Sequence, residues 1–142
     1  MKSLSDSYVH LTNYSINKNC EGYVANEDAD QCQGHKWTLK SLWNYLEQRG
    51  VYVETIKTSL RDIVVKTILG VENVLLDMSR GNISNRYQCF ELFGFDILLD
   101  SDLKPWLLEV NISPSLHSSS SLDLSVKVPL TPNTLISIIQ FL

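Results

Sequence analysis

The stretch ELFGFDILLDSDLKPWLLEVN, Glu91 to Asn111, constrains this chain more than any other: two apolar, strand-like runs each carry a carboxylate among aliphatic residues. Asp96 lies between Phe95 and Ile97, and Glu109 and Asn111 alternate with Leu108, Val110 and Ile112. Charges placed there are costly unless something compensates them. With FELFGFDILLD and KPWLLEVN as antiparallel strands and Ser101 to Lys104 as a four-residue turn, Asp100 stands opposite Pro105 and Asp96 opposite Glu109. Side chains alternate along a strand, so this register predicts Asp96, Glu109 and Asn111 on one face. Phe95, Ile97, Leu99, Trp106, Leu108 and Val110 then share the other.

Two carboxylates directly opposite one another repel unless a cation sits between them. Mg²⁺ suits the set, because it takes oxygen ligands and is usually held by one or two carboxylates, with waters and substrate phosphates completing the shell. Asn111 offers a further oxygen without further charge. The residue types equally allow an ion-pair network with a distant Lys or Arg, or a carboxylate kept protonated. A calcium loop starting at DSD is excluded, since its required central glycine falls on Pro105.

The remainder of the chain supplies packing for such a hairpin. TLKSLWNYLEQRG places Leu39, Leu42, Trp43 and Leu46 on one helical face, with Thr38 as N-cap and Gly50 as stop. From Glu54 to Met78 a second, longer helix is predicted by Ile56, Leu60, Ile63, Val64, Ile68, Val71, Leu75 and Met78, with Gly70 its weak point. Both stripes read as core. NKNCEGYVANEDADQCQGHKW has no sustained period and reads as a surface loop, its acidic Glu27, Asp28 and Asp30 as a solvated face rather than a cation site. SPSLHSSSSLDLSVKVPLTPN reads as extended or looped, followed by a short apolar run, TLISIIQFL, that begins a helix.

Length and composition fit one globular unit: 142 residues, 44% apolar, 20% charged. A net charge of −4 with scattered Lys and Arg argues against a nucleic-acid binder. The apolar runs are too short to span a membrane, and MKSLSDSYVHLTN lacks the apolar core of a signal peptide. The three cysteines, Cys20, Cys32 and Cys89, form no C-x-x-C pair and fit free thiols in a reducing, intracellular compartment. The N-x-S triplets therefore carry no weight as glycosylation sites.

HLTNYSINKN, CQGHKW and ELFGFDILLDSDLKPWLLEVNISPSLHSSSSLDLSVK together resemble the tubulin-tyrosine-ligase-like family, in its glutamate-adding, polyglutamylase branch. The likeness covers nearly the whole chain. It implies an α+β fold: the C-terminal portion of an ATP-grasp domain, whose antiparallel sheet carries the Mg-ATP site with packed helices around it. Asp96, Glu109 and Asn111 match the family's magnesium ligands, and His10, Leu11, Thr12 and Asn13 its nucleotide-contacting segment. Lys36 and Trp37 match a block that would either hold the acceptor or start a helix and fill core; His35 and His117 have no assigned role.

The implied activity is ATP-dependent ligation of free glutamate, through an isopeptide bond, to glutamate side chains in tubulin C-terminal tails, by way of an acyl phosphate. The implied cofactors are ATP and Mg²⁺, and the partners tubulin and microtubules, for a monomer without nucleic acid or membrane. Its expected places are the cytoplasm and microtubule cytoskeleton, with cilium and basal body among them. Family members carry a long catalytic portion upstream of HLTN, so residues 1–142 are expected to be a partial domain lacking its N-terminal part. The alternative is a catalytically incompetent fragment that at most binds tubulin or a metal.

Overall fold

A computed structural model describes residues 16, 18–80, 91–118 and 120–140. Its elements run α1 (Leu39–Gln48), α2 (Val53–Arg80), β1 (Phe93–Leu99), β2 (Pro105–Ile112) and α3 (Ser121–Gln140). The two strands form one antiparallel sheet. Among the described residues no helix is long and apolar enough to cross a membrane.

Local chemistry sets the ends of α1. The Thr38 hydroxyl accepts the Ser41 N–H at 3.0 Å, satisfying one of the amides a helix start leaves open. At the other end Gly50 takes φ 78°, which lets the Gly50 N–H reach Glu47 O and the Val51 N–H reach Leu46 O. This left-handed cap folds Val51 back over Leu46, a contact that seeds the core. Leu46, Val53 and Ile56 are buried there, with Leu42, Trp43, Tyr45, Val51 and Leu60 packed around them and Leu99 and Leu103 reaching in from the hairpin.

Only part of the α2 stripe is core. Ile56 is buried and Leu60, Ile63, Val64 and Ile68 are half-buried, but Val71 and Leu75 are exposed, as are Leu69, Val74 and Leu76. A helix of 28 residues extends about 42 Å, and among the described residues the core cluster and its packed neighbours take only Val53, Ile56 and Leu60 from it. The expectation that the whole stripe packs as core is corrected accordingly.

The hairpin register is as expected next to the carboxylates and shifted at the turn. Phe93 to Asp96 pair with Ile112 to Glu109, but Ile97, Leu98 and Leu99 pair with Leu107, Trp106 and Pro105 across a bulge. The turn has three residues, Ser101 to Leu103, closed by Asp100 N–H to Lys104 O at 3.1 Å and Leu103 N–H to Asp100 O at 3.0 Å. Leu103 has φ 61°, a costly conformation for a leucine that its packing on the core offsets. A three-residue turn needs one fewer residue than the four-residue turn expected, and the bulge absorbs the difference. Trp106 thereby moves to the carboxylate face beside Leu98, and Leu107 replaces it on the apolar face.

Asp100 fixes this turn. Its Oδ1 accepts the Asp102 and Lys104 N–H groups at 3.0 and 2.9 Å, and its Oδ2 accepts the Trp106 indole N–H at 2.8 Å. Lys104 Nζ lies 4.1 Å from the Trp106 ring centroid. The Asp100 carboxyl is held below its ordinary value, chiefly by the indole donor and next by the Lys104 amide. A lowered folded-state pKa makes this contribution present above the ordinary carboxylate range and lost as pH falls through the lowered value. A carboxyl NMR titration is expected to show Asp100 protonating below the ordinary aspartate value, with the Trp106 indole proton signal moving at the same midpoint; independent midpoints would contradict the assignment.

The C-terminal region departs most from expectation. Ser121–Gln140 is a single helix including Pro129 and Pro132: the extended or looped path expected through Asn133 is corrected from Ser121 onward, and the helix expected to begin in TLISIIQFL is its continuation. The start signal was present: the Ser120 hydroxyl accepts the Asp123 N–H at 3.1 Å, with Asp123 in the first turn.

Candidate functional site

Strand alternation and the Asp96↔Glu109 pairing put the two carboxylates side by side, with Asn111 opposite Gly94 on the same face. The Asn111 Nδ2 group donates to Asp96 Oδ2 at 3.4 Å and to Glu109 Oε1 at 3.3 Å. An amide thus bridges two like charges with long hydrogen bonds. Asp96 and Glu109 are exposed and Asn111 is half-buried. Among the described residues neither carboxylate has a Lys, Arg or His ion-pair partner, so the ion-pair alternative finds no support there.

The donor set fits a hard cation. All its potential ligands are oxygens, since half a turn of the Asn111 amide puts Oδ1 where Nδ2 now stands. No three His, Cys, Asp or Glu side chains converge among the described residues. Two carboxylates and an amide leave ligand positions for water or phosphate, as Mg²⁺ requires.

Gly94 and Pro114 complete this corner, and neither was singled out in the sequence reading. A Cβ on Gly94 would lie 3.0 Å from Pro114 Cβ and 3.6 Å from Asn111 Cβ, so the chain leaving Asn111 folds closely over a position that must be small. Ser113, at φ 51°, makes the bend, its N–H reaching Leu92 O at 3.3 Å and its hydroxyl Glu91 Oε1 at 3.1 Å. Glycine inside a strand pattern, two residues before the aspartate, was the available signal. Gly94→Ala is expected to cost about 1 kcal/mol in denaturant unfolding, because Pro114 must yield by a few tenths of an ångström; an unchanged midpoint would show that the corner is loosely packed.

The other candidates resolve into structural roles. The Glu27, Asp28 and Asp30 cluster belongs to the loop's own folding: Asp28 accepts from Asp30 N–H and from the Gln31 amide, and Asp30 pairs with Lys40. His35 Nδ1 accepts the Val24 N–H at 3.1 Å and its ring stacks on Tyr23. The Trp37 indole donates to Gly34 O at 3.0 Å and packs edge-on against Tyr45. Lys36 pairs with Asp123. His10, Leu11, Thr12 and Asn13 lie outside the described residues, as does Cys89.

The hairpin of this small α+β assembly presents two facing carboxylates and an amide, an oxygen-donor set of the chemistry a hard cation takes. The sequence profile of the Tubulin-tyrosine ligase family matches residues 1–141, and the chain belongs to that family. It is 56% identical over 127 residues to tubulin monoglutamylase TTLL4 of Mus musculus and 57% identical over 127 residues to that of Homo sapiens. Each alignment covers 89% of this chain and 11% of the relative. Tubulin polyglutamylase ttll-4 of Caenorhabditis elegans is 44% identical over 136 residues, covering 95% of this chain and 22% of the relative. The chain therefore spans a small part of the length of these relatives.

Proposed function

We propose that this chain is part of an ATP-dependent tubulin glutamate ligase, and that its hairpin forms the metal end of a nucleotide site. The observation that carries the reading is the facing pair Asp96 and Glu109 bridged by Asn111, in a chain of this family. Residues 1–142 are then the C-terminal portion of an ATP-grasp domain, with His10, Leu11, Thr12 and Asn13 contacting the nucleotide. The relatives are named for mono- and polyglutamylation of tubulin, and adding glutamate is the chemistry the names share.

Asp96, Glu109 and Asn111 would hold Mg²⁺. When bound it supplies positive charge to the phosphate oxygens, relieving repulsion between an anionic acceptor and an anionic triphosphate. The chain's own contribution is positioning: rigid strand pairing keeps the two carboxylates opposite each other, and Asn111 adds an oxygen without adding charge. In the proposed reaction the acceptor glutamate's side-chain carboxylate attacks the γ-phosphorus of ATP, releasing ADP and forming an acyl phosphate. The α-amine of free glutamate then attacks the acyl carbon, loses a proton and expels phosphate, leaving an isopeptide bond. Partners are the tubulin C-terminal tails and free glutamate, with the protein acting as a monomer on cytoplasmic or ciliary microtubules.

The test is incorporation of labelled glutamate into tubulin by the full-length protein, with ATP, Mg²⁺ or both withheld in turn. Incorporation that needs both supports the reading. Incorporation of tyrosine or glycine in place of glutamate would refute the choice of donor. Tubulin binding without any transfer would instead establish the incompetent, binding-only alternative.

A further inference from the structure

Lys36 and Asp123 are 87 positions apart in sequence and meet in an ion pair at 2.5 Å. Asp123 is 6% exposed, among the most buried charged residues described, and stands in the first turn of α3. We propose that this pair, together with Lys127, is a positioning device that holds the segment following Asn111 in place beside the hairpin. For its consequence at Asn111 the inference rests on the ligase reading.

Among the described residues between Ile112 and Ser121 there is neither helix nor strand, so their path is set by what holds them at each end and along the way. At the near end Ser113 is bonded to Leu92 and Glu91, and Pro114 lies over Gly94. In the middle Lys127 Nζ donates to Ser115 O at 3.0 Å and to His117 O at 2.6 Å. Lys127 projects from the second turn of α3, so wherever α3 is fixed the segment after Asn111 is fixed with it.

Among the described residues, the loop before α1 holds the start of α3. Lys36 holds Asp123, and the Ser121 hydroxyl donates to Glu27 O at 3.4 Å. That loop is itself tied to α1: the Thr38 and Ser41 hydroxyls donate to Ala29 O at 2.9 and 2.6 Å, and Lys40 pairs with Asp30. A series of contacts therefore runs from α1 through Lys36, Asp123 and Lys127 to Ser115, four positions along the chain from Asn111. Its long-range step is the charge-assisted bond between Lys36 and Asp123, stronger than a neutral bond and favoured further by an acidic group in a helix's first turn.

The test uses the full-length protein and the variants Lys36→Met, Asp123→Asn, their double, and Lys36→Arg. The first readout is amide hydrogen exchange without Mg²⁺ or nucleotide. Each single variant is expected to exchange roughly ten-fold faster over residues 112–118 while α1 and β1 keep the wild-type rate. The double variant should be no faster than the worse single, and Lys36→Arg should stay near wild type. The second readout is the Mg²⁺ half-saturation of glutamate incorporation, expected to rise about ten-fold in the same variants. Unchanged exchange, exchange raised equally across α1 and β1, or a half-saturation that does not move would each overturn the proposal. A wild-type protein with no ATP-dependent incorporation would instead remove the ligase reading, and the exchange measurements would still decide whether the pair holds the segment.

Discussion

Glu109→Gln is expected to leave the fold intact and to lower ATP-dependent glutamate incorporation on the order of 10³-fold or more. The substitution keeps the side chain's length and its place opposite Asp96, so the pairing of β1 with β2 has no reason to change. It removes one of the two charges that would hold the metal and leaves an amide in its place. The same change relieves the repulsion between facing carboxylates, so the metal-free protein should be no less stable and is expected to gain about 0.5 kcal/mol. The sign distinguishes a ligand from a structural carboxylate: a structural Glu109 would cost stability when neutralised. Thermal unfolding with and without Mg²⁺ and nucleotide reads this directly. The wild type should be stabilised by the ligands and the variant should not. Retained activity, or a variant less stable than the wild type without ligands, would refute the assignment.

The shared face of Asp96, Glu109 and Asn111 was legible because a strand's two-residue period is rigid: once Asp96 and Glu109 were placed opposite each other, Asn111 had to lie beside them. What local pattern could not supply was the turn. Asp100 collects two backbone amides and an indole on one carboxylate, which favours three residues over four, and the bulge passes the change to Trp106 without disturbing Asp96. A sequence shows Asp100 and Trp106 as near neighbours but not that one will bond the other.

Helices α1 and α2 were legible from their apolar period and from Thr38 and Gly50, whose roles are local. The extent of the α2 core was not, because periodicity gives a helix its apolar side without showing how much of that side another element covers. In α3 two prolines outweighed a capping signal at Ser120 and Asp123 that was equally present in the sequence. The pairing of Lys36 with Asp123 has no local signature at all, since 87 positions separate the partners.

The second large effect is expected at the core that seats the hairpin. Ile56 is 4% exposed and forms, with Leu46 and Val53, the buried cluster on which Leu99 and Leu103 of the hairpin rest. Ile56 also lines a cleft of about 360 Å³ with Leu103 and Pro105, at the junction of the helical pair and the turn. Ile56→Ala is expected to cost about 3 kcal/mol, the lost transfer energy plus a cavity the surroundings fill only in part. For a chain of this length that is a fall in Tm of roughly 10 °C and a large share of a typical total stability. Because Leu103 holds its unfavourable φ of 61° through packing on this cluster, the turn should loosen with the core. Hydrogen exchange should then rise at Leu103 and Lys104 together with α1 and the first turns of α2. Tyr52→Ala, at a residue 76% exposed on the rim of the same cleft, should change stability by less than about 0.5 kcal/mol. If Ile56→Ala cost no more than that control, the hairpin would have to be seated by contacts other than this cluster.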